Sequence, residues 1–439
     1  MTDRYQSKIT TAQEAVGHIK SGDSVYIHSN AAAPPSLIDA LTARTGDLQG
    51  VKIYQLITLG KAPYADIACS GSFYVHTLFI GPNTRQAVAE GRADYTPVFF
   101  SEAPRLFYNA TLKVDVCLLQ CSPPDSHGNM TMGVSLDCTP AARSHATLVI
   151  AEVNRHMPRT FGDSTIHVSQ IDHIVENDHP LPELTAEQPG EVERAIGKNV
   201  ASLVEDGATI QMGIGAIPNA VLNALHDKRD LGVHSEMFSD GVLTLVEQGV
   251  ITNSKKTLLP GVLAVSFLMG SKHLYDFVDN NPAVELHPSE FINDPYVIAQ
   301  NHKMTAINSA IQVDLTGQVC ADSLGFDLYS GCGGQVDFIR GASRADNGKA
   351  IIALPSTARG GSVSRITASL AAGAGVVTSR ADVHFVVTEY GIADLHGKNM
   401  KDRVKALIAI AHPAFRSWLE EESSRFKWLG PSGLSIAAP

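Results

Sequence analysis

Short apolar runs alternate with stretches of helical periodicity along most of this chain. Residues 24–28, 52–58, 77–80, 98–100, 114–119 and 147–152 read as strands, and so do 208–212, 262–269, 306–313, 350–354 and 383–387. Helical spacing marks 11–20, a helix beginning at 36–41, 191–204 and the segment through Leu243, Leu245, Val246 and Val250. Residues 84–90 and the surroundings of Leu112 fit helix or loop. Two helices close the chain, 400–412 and 413–425, the second with Trp418 and Leu419 on its apolar face. Runs of 4–8 apolar residues separated by helices predict α/β layers with largely parallel sheets. A chain of 439 residues is too long for one ordinary core, so two domains are expected.

The pattern also repeats. Residues 34–41 (PPSLIDAL) overlay 218–225 (PNAVLNAL) at an offset of 184, from 34 to 218. Asp125-Ser-His-Gly128 follows one apolar strand, and Asp314-Leu-Thr-Gly317 follows another at an offset of 189, from 125 to 314. Two related α/β halves are expected. Residues 177–190 carry three prolines and several acids and form the best linker, which divides the chain into 1–185 and 186–439.

The richest stretch is 206–241. An apolar strand meets the turn Gly213-Ile-Gly215-Ala-Ile-Pro218, and a helix follows with Val221, Leu222 and Leu225 on one face and Pro218 at its start. A glycine turn opening a helix offers unpaired N–H groups to an anion or oxyanion. A second segment delivers Glu236, a potential nucleophile, before the turn Ser239-Asp240-Gly241. Glu389, at the end of a strand, competes with it or serves as a structural acid. Ser330-Gly-Cys-Gly-Gly-Gln335 is the densest glycine cluster, and Arg359 sits in a further glycine loop, where it is either a pairing partner for phosphate or carboxylate or a solvated charge.

Composition narrows the classes. With 44% hydrophobic and 18% charged residues the chain reads as a soluble globular protein. A net charge of −11 implies no broad basic surface for nucleic acid. The first residues hold no apolar signal core and no run is long enough to span a bilayer, so a cytoplasmic location is expected. The six cysteines form no CxxC pair, and no metal site is expected. Cys332, inside the glycine cluster, is read as a small residue filling a tight turn, with a nucleophile as the alternative reading. Gly213-x-Gly215 lacks the third glycine of a dinucleotide fingerprint, having Pro218 there. No Walker A run and no GxSxG elbow occur. His234-Ser-Glu236 lacks the PCxxC partner of a zinc deaminase, and His127 is read as a turn residue.

Six motifs in fixed order carry a resemblance: 213–218 (GIGAIP), 234–241 (HSEMFSDG), 307–319 (INSAIQVDLTGQV), 331–342 (GCGGQVDFIRGA), 356–361 (STARGG) and 389–398 (EYGIADLHGK). With the first-half loop 123–135 (PPDSHGNMTMGVS), they make the chain resemble the acetyl-CoA hydrolase/transferase family over nearly its whole length. Within that family it is most similar to the 4-hydroxybutyrate and butyryl-CoA:acetate CoA-transferases. The resemblance implies two structurally related α/β domains of the class I CoA-transferase type, with the active site between them. It implies Glu236 as nucleophile and a CoA-binding first loop of Gly213, Ile214, Gly215, Ala216 and Ile217, Ala216 standing where the family pattern has glycine. It places Gly333, Gly334, Ile311 and Arg359 at CoA, with Arg359 in the position of the family's lysine. It implies acyl-CoA and short carboxylates as substrates, no tightly bound cofactor, and a homodimer or larger assembly. The expected activity is CoA transfer through a glutamyl thioester. Acyl-CoA hydrolysis at a wetter site is the alternative, and a non-catalytic CoA-binding protein a third.

Overall fold

The computed structural model describes residues 5–185 and 187–430. The first half supplies β1 (Ser24–Ile27), β2 (Val51–Gln55), β3 (Phe73–Thr77), β4 (Ala93–Tyr95), β5 (Val116–Cys121), β6 (Leu148–Val153), β7 (Phe161–Gly162) and β8 (His173–Glu176). Seven of these form an all-parallel sheet in the order β8-β6-β5-β1-β2-β3-β4. The second half supplies β9 (Thr209–Met212), β10 (Gly232–Phe238), β11 (Leu263–Leu268), β12 (Val284–Leu286), β13 (Thr305–Ser309), β14 (Gln312–Asp314), β15 (Lys349–Ala353), β16 (Phe385–Thr388) and β17 (Gly391–Asp394) among its strands. Its main sheet runs β17-β16-β15-β13-β9-β10-β11-β12-β7 and is parallel except for the hairpin β16–β17.

Without the two edge strands β17 and β7, the two sheets have one connectivity. Each starts with a central strand (β1, β9), adds three strands to one side, then returns to the other. The repeats seen in the sequence fall at corresponding places. Asp125 and Asp314 each follow the returning strand, β5 or β13, and each makes the same turn. Asp125 Oδ1 accepts from the amides of His127 (2.8 Å) and Asn129 (2.9 Å). Asp314 Oδ1 accepts from those of Thr316 (2.9 Å) and Gln318 (3.0 Å). An aspartate that caps its own loop in this way fixes the chain's exit from the strand.

Alternation of side chains sets the layers. On β1, Val25 and Ile27 pack in a cluster formed by the first half alone, and Tyr26 points to the opposite side. On β15, Ala350 and Ile352 join a cluster of the second half, and Ile351 and Ala353 face back to meet the same core as Tyr26. Each sheet thus has a private face and a shared one. Both faces are buried, which is why the central strands read as continuous apolar runs. The helices that matter for the site are α1 (Pro35–Thr42), α2 (Ala216–Asn223) and α3 (Gln335–Arg344).

Several expectations shift. Residues 98–100 form no strand; the edge strand is β4, because Phe100 packs into the shared core instead of a ladder. The strand expected at 77–80 lies earlier, as β3. The run 306–313 divides into β13 of the main sheet and β14 of a small three-stranded sheet. Leu419 is buried, but Trp418 is 43% exposed, so only one of the pair faces the core. β7 lies in the first half of the chain and closes the edge of the second sheet, so one strand of the first half pairs with the second. In the linker, Ala186 lies outside the described residues. No helix among the described residues is long and apolar enough to cross a membrane.

Candidate active site

The second sheet reverses its winding between β9 and β13, and the loops at the carboxyl ends of these strands open a crevice there. This is where α/β sheets bind ligands. Gln211, Met212 and Gly213 come from the end of β9, Glu236 and Met237 from β10, and Asn308 and Ser309 from β13. With Ser330, Gly331, Cys332, Gly333, Gly334 and the first-half Phe79 they border a pocket of about 210 Å³.

Glu236 is a partly accessible side chain on a strand whose other residues are buried. Its Oε2 accepts from Asn293 Nδ2 at 2.7 Å, and the backbone amide of Gly334 donates to the same carboxyl. Gly334 caps the N-terminus of α3, so the carboxylate sits at the positive end of a ten-residue helix. A Cβ at residue 334 would collide with Glu236 Oε2 and Asn293 Nδ2, so only glycine leaves the carboxyl and its amide partner where they are. Burial pushes the Glu236 carboxyl up to about 8, the Asn293 bond opposes this, and the negative charges of Asp337 and Asp137 add to it. A proton is therefore held above the usual carboxylate range, and the deprotonated form is a stronger base and nucleophile.

Two residues before it, His234 is buried. Its Nε2 bonds the carbonyl of Ile292 at 2.8 Å, next to Asn293, and burial lowers its pKa to about 3, so the ring is neutral. No group of three or more His, Cys, Asp or Glu side chains among the described residues is arranged to hold a metal.

The first glycine turn divides between two cavities. Gly213 borders the Glu236 pocket, while Ile214 and Gly215 line a neighbouring cavity of about 410 Å³ with Asn219, Asp240, Met269 and Tyr329. Gly215 has φ 110°, which glycine adopts without strain. Helix α2 starts at Ala216, with Pro218 as its third residue, where an N–H has no helical partner in any case. The amide of Ala216 already donates to Glu187 of the linker at 3.1 Å. In the first half the corresponding helix start is closed from within: Ser36 N (3.0 Å) and Oγ donate to the buried Glu152, whose other oxygen bonds His179. Ile217 packs against the shared core instead of the pocket.

The remaining sequence candidates lie apart. Arg359 is exposed on a short hairpin, with φ 50°, and lines neither cavity. Ile311, between β13 and β14, lines neither. Glu389 accepts from the amide and hydroxyl of Ser356, which makes it the structural acid of the two readings. His127 is an exposed turn residue. Sequence reasoning missed Asn293, which no local motif marks because it reaches Glu236 across 57 positions of chain. It also missed the first-half residues Phe79, Tyr95 and Phe100, which meet the second glycine cluster only through the fold, and Ser101, which meets Asp337 just beyond it.

Comparison with known proteins agrees with this architecture. Residues 1–184 match the acetyl-CoA hydrolase/transferase N-terminal domain and residues 270–423 the C-terminal domain. The chain is 54% identical over 423 residues to the 4-hydroxybutyrate coenzyme A transferase of Clostridium kluyveri, covering 96% of this chain and 99% of that one. The crystal structure of RipA from Yersinia pestis superposes with a TM-score of 0.93 at 36% identity, over 97% of this chain and 98% of that one. A 4-hydroxybutyrate CoA-transferase from Porphyromonas gingivalis gives 0.83 at 40% identity, over 97% and 99%. The chain belongs to the acetyl-CoA hydrolase/transferase family, and within it is an enzyme acting as a CoA-transferase.

Proposed function

We propose that the enzyme passes CoA between an acyl-CoA and a short-chain carboxylate, with 4-hydroxybutyrate or butyrate on one side and acetate on the other, through a thioester on Glu236. The observation that carries this reading is a carboxylate held between the Asn293 amide and the Gly334 N–H in a pocket bordered by two glycine turns.

The carboxylate attacks the thioester carbonyl; the C–S bond breaks, CoA thiolate leaves, and a mixed acyl–glutamyl anhydride remains. The thiolate then attacks the glutamyl carbonyl, and the first carboxylate departs. Glutamyl-CoA is left, with the thioester's free energy retained. An incoming carboxylate reverses these steps and leaves as the new acyl-CoA. Each attack creates a tetrahedral oxyanion. Asn293 Nδ2 and the Gly334 amide, which already bond the Glu236 carboxyl, are candidate donors to it, with Gly213 and Gly333 on the same pocket wall, and one such donor is worth about 3 kcal/mol in the barrier. The 410 Å³ cavity beyond Ile214 and Gly215 suits the body of CoA, and Arg359 on its exposed hairpin suits the outer, phosphate-bearing end.

Borohydride added after acyl-CoA reduces a glutamyl thioester to an alcohol, so peptide mass analysis is expected to locate the change at Glu236. Full activity in Glu236→Ala would overturn the proposal. The products formed from acetyl-CoA with and without butyrate separate transfer from hydrolysis: transfer gives butyryl-CoA and acetate and requires the acceptor, whereas hydrolysis gives free CoA without it.

A further inference from the structure

The glycine-rich loop 330–334 is part of the second half by sequence but is held by the first. Ser330 O accepts from Ile80 N at 2.8 Å, Cys332 N donates to Tyr95 Oη at 3.0 Å, and Gly333 O accepts from Phe100 N at 3.3 Å. Just beyond, the carboxylate of Asp337 in the first turn of α3 is gripped at both oxygens by one residue. Ser101 N donates to Oδ2 at 3.0 Å and Ser101 Oγ to Oδ1 at 2.8 Å. Asp337 is 3% exposed. A buried carboxylate costs free energy unless its oxygens are bonded, and an apolar residue would pack a helix here without that cost. What a two-point bond adds is direction.

We propose that Ser101 and Asp337 are positioning residues for the transfer reaction: the pair fixes the start of α3 against the first half, so that the Gly334 amide is aimed at the carboxyl of Glu236. The nucleophile rides on β10 of the second sheet, and the donor that faces it is set by the first half. The clamp thereby makes the reacting geometry depend on how the halves are joined. It rests on the reading of Glu236 as the group that is acylated. The Asp337 charge also faces Glu236, alongside that of Asp137, and both favour the protonated form. Burial pushes Asp337 up to about 7, the two Ser101 bonds oppose this, and Glu102 and Arg340 are the charged groups that act on it, so it carries its charge where Glu236 titrates, near 8.

The test is acetyl-CoA consumption by the full chain, with and without butyrate. The clamp is then read whether the product is butyryl-CoA or free CoA, and product identity tests the transfer reading separately. Ser101→Ala is expected to lower kcat by about 10²-fold, as a misplacement near 1 Å does, with KM for acetyl-CoA changed less than about twofold. Ser101→Thr, which keeps the hydroxyl, is expected to recover most of the loss. Asp337→Asn is expected to lower kcat and to move the acidic limb of the pH–rate profile to lower pH, because one of the charges that holds the proton on Glu236 is gone. Wild-type kcat in Ser101→Ala overturns the proposal. So does a loss accompanied by an unmoved limb in Asp337→Asn and a parallel fall in thermal stability, since that pattern describes a merely structural contact.

Discussion

A carboxyl pushed up to about 8 by burial makes the rate depend on pH in a defined direction. In the proposed mechanism Glu236 must be deprotonated to attack, so kcat/KM for acetyl-CoA is expected to rise tenfold per pH unit below about 8 and to level off above it. The same shift is a stability statement. Folding raises this group from 4.5, so the folded state holds the proton more tightly than the unfolded one. Its contribution is complete below the unfolded value and is lost as pH rises through about 8. Glu236→Gln removes that loss. Thermal denaturation is expected to show the variant more stable than wild type at pH 9 and nearly equal to it at pH 5, with activity down at least about 10³-fold. Asn293→Ala takes away the side-chain bond that opposes the shift. Its pH limb should move above 8 and its kcat should fall by about 10²-fold, measured in the same assay. Glu236 is legible in the sequence because a glycine turn and an acid lie close together in the chain. Asn293 is not, because its partner is chosen by the packing of a short helix against β10.

At the scale of elements, the two glycine turns do different work. The turn before α2 needs glycine for a backbone reason: Gly215 has φ 110°, and a Cβ there would meet only Glu187 Oε2 at 4.0 Å, so Gly215→Ala is strained by about 1–3 kcal/mol through its backbone and not its contacts. Gly334 has an ordinary φ of −91° and needs glycine for a spatial reason, the approach of Glu236. Gly334→Ala is therefore expected to abolish turnover. Far-ultraviolet circular dichroism at matched temperatures should show the fold retained, because no other part of α3 depends on that hydrogen. A periodic reading of the sequence finds both turns and cannot tell these reasons apart. It also assigns a strand to 98–100, since apolar residues facing a neighbouring half look the same as apolar residues facing a sheet.

At the scale of the molecule, one core contains residues from Tyr26 to Val387, and β7 of the first half completes the second sheet. Such a chain should unfold as one unit. Both tryptophans, Trp418 and Trp428, lie near the end of the second half, whereas circular dichroism reports on all elements. In a urea titration the two signals are expected to trace one transition; separate midpoints would show that the halves unfold independently.

The duplication, the α/β class, the glycine turns and the acid beside them were fixed by local sequence. Periodicity, turn chemistry and short repeats are properties of neighbours along the chain. The tertiary structure alone decided which amides meet Glu236, which carboxylate Ser356 holds, and which half holds the glycine-rich loop 330–334. Those outcomes depend on burial and on distances of a few ångströms between residues far apart in sequence, and neither quantity is written in any one stretch of it.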